Sequence, residues 1–182
     1  MKKGVSKKVR NVVYNSTTKA ALNSYAQNGS IPVTVTALIK DGDEMELVPV
    51  LLGGGLHDIR LVSDILDKSL DGVVAHIKES KDARVVMFML AAEASGTISF
   101  KKDGHVEGVK AILTAARTED REGKTTLYQV VDEVGKTEYV ALKTATFNKW
   151  IKGDDTDDLA SVVSQKILDS LWVSFVTKRN LI

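Results

Sequence analysis

From Val33 onward apolar and polar positions alternate: Val33, Val35, Ala37 and Ile39 are apolar, and Thr34 and Thr36 between them are polar. A period of two is that of a strand with one buried face. Asp41-Gly42 comes next, the strongest short signal for a hairpin turn. The return strand, Met45 to Leu52, is apolar on both faces. Pro49 within it cannot donate a ladder hydrogen bond, which marks an edge or a bulge.

The period then lengthens. Ile59, Val62, Leu66, Leu70, Val73 and Ile77 recur at steps of three and four and predict a helix with one apolar stripe, which Gly72 kinks or splits. Beyond Ser80 the segment "ARVVMFMLAA" suits a strand buried on both faces. "GTISFKK", the turn Asp103-Gly104, the run from Val106 to Thr118, "TTLYQVVDE" and "TEYVALKTATF" follow with short polar links. Links this short predict sequentially adjacent antiparallel strands, a meander of about five. The last element is a long C-terminal helix. Asp154, Asp155, Asp157 and Asp158 stand at its start and Lys178 and Arg179 at its end, as the helix dipole favours. Leu159, Val162, Val163, Ile167, Leu171 and Phe175 form its core stripe, and Leu168, Trp172 and Val176 widen it.

Ahead of the hairpin, "NSTTKAALNSYAQNGS" predicts a short helix capped by Ser16 or Thr17 and ended by Gly29. Residues 1–11 carry Lys2, Lys3, Lys7, Lys8 and Arg10 and are expected to form a basic flexible arm. The order helix, hairpin, helix, meander, helix predicts an α+β fold: an antiparallel meander plus an N-terminal hairpin, packed against two or three helices. Residues 12–182 are expected to make one domain. A sub-boundary near Ser80 is the alternative, disfavoured because a lone hairpin with one helix is a poor core.

Composition narrows the function classes. A chain of 182 residues, 43% hydrophobic and 27% charged, can bury a core without staples. There are no cysteines, which removes disulfides, thiolate metal sites and cysteine nucleophiles. A net charge of +1 gives no overall field toward nucleic acid or a membrane. No apolar run approaches the roughly 18 residues of a membrane span. The first residues lack a signal-peptide core, so a cytoplasmic protein is expected.

Candidate chemistry is sparse. Gly53, Gly54 and Gly55 precede a helix, where backbone amides can hold an anion. The nucleotide loop needs Gly-Lys-Ser/Thr, whereas Gly55 is followed by Leu56 and His57. A sharp strand-to-helix bend explains the glycines more simply. His57, His76 and His105 have no metal-ligand spacing, and the aspartates before the last helix fit no calcium loop, so neither metal nor cofactor is expected. No nucleophile elbow is present. A pocket between a curved sheet and the C-terminal helix would draw on His57, Glu93, Tyr128 and Tyr139 as polar groups. The basic arm makes nucleic acid a further candidate partner, though no aromatic interleaves its charges.

The leading expectation is a non-catalytic binding or assembly protein, a homo-oligomer whose interface includes Leu168, Trp172 and Val176. A small-ligand binder or enzyme, and a nucleic-acid accessory protein, are the alternatives.

Overall fold

The computed structural model of the chain describes residues 4–51, 59–100, 104–133, 136–142, 150–152 and 159–180. Within them run α1 (Lys7–Asn28), β1 (Thr34–Asp41), β2 (Glu44–Leu51), α2 (Ile59–Lys78), β3 (Ala83–Phe100), β4 (Gly104–Thr118), β5 (Glu122–Glu133), β6 (Lys136–Leu142), β7 (Ile151–Lys152) and α3 (Leu159–Asn180). The strands form one antiparallel sheet in the order β2-β1-β3-β4-β5-β6, with β7 paired to the start of β5. The fold is α+β, and α3 is the long C-terminal helix expected. Strands β2 and β3 both oppose β1 and are therefore parallel to each other. Such a link must cross a face of the sheet, and α2 makes the crossing.

β3 lies inside the sheet and is buried from Val85 to Ala92. Val85, Phe88, Leu90 and Ala92 pack beneath α2 and α3, while Val86, Met87 and Met89 pack with Tyr14 of α1. Neither face is wet, which is why the sequence shows no alternation here. The parity changes at a bulge: Leu38 pairs with Met87 and Ile39 with Val85, leaving Val86 as the extra residue. Its neighbour β4 alternates cleanly. Leu113 and Ala115 face α3, and Ile112 and Ala116 face the α1 side.

Several expectations are corrected. "ARVVMFMLAA" and "GTISF" are one strand, β3, which ends at Phe100, because the glycine between them marks a register shift at Gly96/Ile98 and not a break; Lys101 and Lys102 lie outside the described residues. The meander is therefore β3 to β6, with β7 a short separate addition. The hairpin loop is Gly42-Asp43, one residue later than read, with Gly42 at φ 60°. A positive φ at the first central position alone is the II′ arrangement, which glycine allows. Helix α2 runs unbroken through Gly72, which sits on its exposed side with open space where a side chain would stand. Pro49 lies on an edge strand, as its missing donor predicts, and Met45 and Leu47 of that strand are exposed.

The largest correction concerns the N-terminus. Lys7 to Asn11, assigned to the basic arm, are the first turns of α1. Ser6, not Ser16 or Thr17, is the cap, its Oγ accepting from Val9 N–H at 3.3 Å. Gly29 closes the helix as expected, left-handed at φ 70°, with its N–H on the Tyr25 carbonyl at 2.7 Å. Arg10 pairs with Glu122 of β5 and lies 5.0 Å from the centre of the Trp150 ring, whose Nε1–H donates to Asn11. The first turns are thus docked on the sheet. Deleting residues 1–10 removes the cap and this pairing and should cost about 1–2 kcal/mol, most of it the cap. Thermal melts of the truncated and full chains check this, and equal midpoints would show that the first turns contribute nothing.

Candidate functional site

Where polar side chains go under each sheet face decides what chemistry is left over. On the α3 side, β4 alternation sets Arg117 in line with Leu113 and Ala115, facing inward. It is fully buried. Its Nε lies 2.6 Å from Asp169 Oδ1 of α3, and its Nη1 donates to Gln165 Oε1 at 3.1 Å. The Gln165 amide nitrogen reaches the carbonyls of Ala116 and Lys124, each at 3.3 Å, and Thr125 Oγ1 at 3.0 Å. Thr125 in turn meets Ser164 at 3.1 Å. A Cβ at Gly123 would push the Gln165 amide off these partners, so the glycine makes room for it. A buried arginine is tolerated only when it is paired and hydrogen-bonded. This cluster fastens α3 to β4 and β5.

The α1 side carries a second cluster. Tyr14 Oη lies 2.9 Å from each of the Thr114 carbonyl, Thr114 Oγ1 and Thr126 Oγ1, with one proton to donate among them, while Thr18 donates to Thr114 Oγ1 at 3.2 Å. Burial outweighs these bonds and pushes the Tyr14 hydroxyl up to about 12. Lys124 stands 4.8 Å from the Tyr14 ring centre, and burial, with Lys7 nearby, lowers its ammonium from the usual lysine value. Burial also raises the hydroxyl of Tyr128, further along β5 on the same face.

The residues singled out from the sequence are dispersed. Gly53, Gly54, Gly55, His57, Lys2, Lys3 and Asp154, Asp155, Asp157 and Asp158 lie outside the described residues, as does the side chain of His105. Glu93 sits within β3, exposed, and accepts the Ile31 N–H at 3.2 Å. Tyr139 on β6 donates to the Leu22 carbonyl of α1 at 3.0 Å and packs edge-on to Tyr25. His76 meets Glu46 at 2.8 Å on the surface. Of the basic residues, Lys7 and Lys8 are exposed on α1 and Arg10 is committed to Glu122.

The interface candidates divide. Leu168 is fully buried in the core and has no surface to offer a partner. Trp172 packs edge-on against Phe88 at 4.7 Å and Phe175 at 6.0 Å, and its Nε1–H donates to the Arg117 carbonyl at 3.1 Å. It is a core residue with one uncovered side. Val176 is 39% exposed, and Val173, three residues before it on the same side of α3, is 67% exposed. Sequence reading missed Arg117, Gln165 and Tyr14. The β4 alternation that ends on Arg117 was the available signal.

No protein-family model, curated protein or solved structure matches this chain. Among the described residues no helix is long and apolar enough to cross a membrane.

Two outcomes follow from the clusters. An unfolded Tyr14 ionises near pH 10 and the folded one near 12, so its contribution is whole below pH 10 and is lost as the pH rises toward 12. Stability should fall through that window, and Tyr14→Phe should flatten the fall, as alkaline denaturant titrations of both proteins would show. Trp172→Ala and Phe175→Ala should each cost about 3–5 kcal/mol, the range of large aromatic deletions in cores. A much smaller loss for Trp172→Ala, measured by denaturant unfolding, would return Trp172 to the surface.

Proposed function

We propose that this chain is a non-catalytic assembly or binding protein that works as a homo-oligomer, with the outer side of α3 as a contact surface. The observation that carries the reading is the pair Val173 and Val176. They stand exposed on a helix whose inward stripe is already filled by Leu168, Leu171 and Phe175. Valines there add nothing to the core, and beside the uncovered side of Trp172 they make an apolar strip that association would remove from water. The polar clusters support the same reading. Arg117, Gln165 and Tyr14 hold helices to the sheet, which leaves them committed to structure. The absence of cysteine suits a cytoplasmic setting for such an assembly.

The test separates assembly from folding. Val173→Glu and Val176→Glu alter exposed positions, so unfolding free energy should stay within about 0.5 kcal/mol of wild type. Light scattering should show a shift toward smaller species, larger in the double variant. An unchanged assembly in the double variant would discard this surface, and a wild-type chain that stays monomeric at high concentration would discard the homo-oligomer.

A further inference from the structure

We propose that β2 is an intermolecular edge: two copies of the chain pair β2 with β2, antiparallel, about a twofold axis at Leu47, so that the sheet runs from one molecule into the next. The inference rests on the homo-oligomer reading above, but the surface is separate from α3 and does not depend on α3 being a contact.

The hydrogen-bond pattern of the hairpin supplies the first argument. In a two-residue loop the closing pair exchanges both of its backbone bonds, and the pairs then alternate. Asp41–Glu44 is the closing pair, so Lys40–Met45, Leu38–Leu47 and Thr36–Pro49 are the non-bonded pairs. The N–H and C=O groups of Met45 and Leu47 therefore point away from β1, out of an edge that no described strand pairs, as does the Pro49 carbonyl. Proline sits where its missing N–H costs the β1 ladder nothing.

Self-complementarity supplies the second. With Leu47 on the axis, the two Leu47 residues exchange a reciprocal pair of bonds. Each Met45 N–H meets the Pro49 carbonyl of the other copy, while the return bond to the Met45 carbonyl is missing because proline has no N–H. On the α1 side of the sheet Leu47 then faces Leu47, and Met45 faces Pro49. On the other side Glu46 faces Val48, so like charges are not set opposite each other. A register centred on Glu46 would oppose the two glutamates, which is unfavourable.

The third argument is continuity with the core. α1 lies over β3 and β4 and leaves Met45 41% and Leu47 44% exposed on its own side of the sheet. Across the strands the row reads Met87, Leu38, Leu47, the first two buried in the α1-side core. The twofold extends this row through Leu47 to the second Leu47, Leu38 and Met87. Edge strands ordinarily carry charges or a cover where apolar side chains would invite pairing. Here the apolar row runs to the edge.

The chain has no cysteine, so Leu47→Cys introduces a single thiol. A hydrogen-bonded antiparallel pair holds its Cα atoms about 5.5 Å apart, within disulfide reach. Mild oxidation should convert Leu47→Cys into a covalent dimer, and Met45→Cys, whose counterpart is Pro49, far less. Leu47→Pro removes the outward N–H without touching the β1 ladder. It should keep the wild-type circular dichroism and weaken self-association at least tenfold in analytical ultracentrifugation. No covalent dimer from Leu47→Cys at concentrations where wild type associates would overturn the proposal, as would unchanged association of a folded Leu47→Pro chain. Should the Leu47 variants assemble normally while the Val173→Glu, Val176→Glu double variant does not, β2 is excluded and the α3 reading stands. The opposite pattern keeps the edge and removes α3.

Discussion

A strand with two dry faces has no polar side to offer, and β3 meets that condition from Val85 to Ala92. Both faces of the sheet must then be roofed, since an uncovered side would leave Phe88 or Met87 in water. α2 and α3 roof one face, and α1 roofs the other. The bulge at Val86 apportions the side chains, sending Val85 and Phe88 to one layer and Val86 and Met87 to the other. The architecture of three layers follows from the burial of this one strand.

Apolar contact is non-directional, so it does not by itself fix how a helix lies on a sheet. Each roof here is pinned by a polar cluster at the β4–β5 seam. Gln165 bonds to a carbonyl of each strand and holds the Arg117 guanidinium from above. On the reverse side Tyr14 reaches Thr114 of β4 and Thr126 of β5. The two clusters lie back to back on neighbouring residues of one strand pair. Hydrogen bonds of this kind add modest net stability but penalise any sliding that would leave a buried partner unmet.

The fold class was legible because its elements differ in period: two in β1, three to four in α2, and none in β3. The hairpin, α2 and α3 came from that contrast. The start of α1 did not, because the residues the helix buries, Tyr14, Thr18 and Tyr25, begin only at Tyr14, while Lys7, Lys8 and Arg10 suggested a solvated arm. The segments either side of Gly96 looked like two strands because a bulge and a link between strands draw on the same residue. For the site, composition could name Trp172 but not the Arg117 carbonyl that its indole meets, a pairing across 55 residues. Exposure of Val173 depended on which side of α3 the sheet takes, and a stripe more than one face wide leaves that side undecided.

α3 meets partners made well before it, at separations of 39 residues for Thr125 with Ser164 and 48 for Arg117 with Gln165. During synthesis the strands it covers therefore exist before their roof does. In that interval Phe88, Leu113 and Leu127 form an open apolar surface, the kind on which nascent chains stick to one another. Arg117 stands among them with its charge unburied, a gatekeeper of the sort that opposes such contact. A side chain that is costly to desolvate in the finished molecule thus guards the unfinished one.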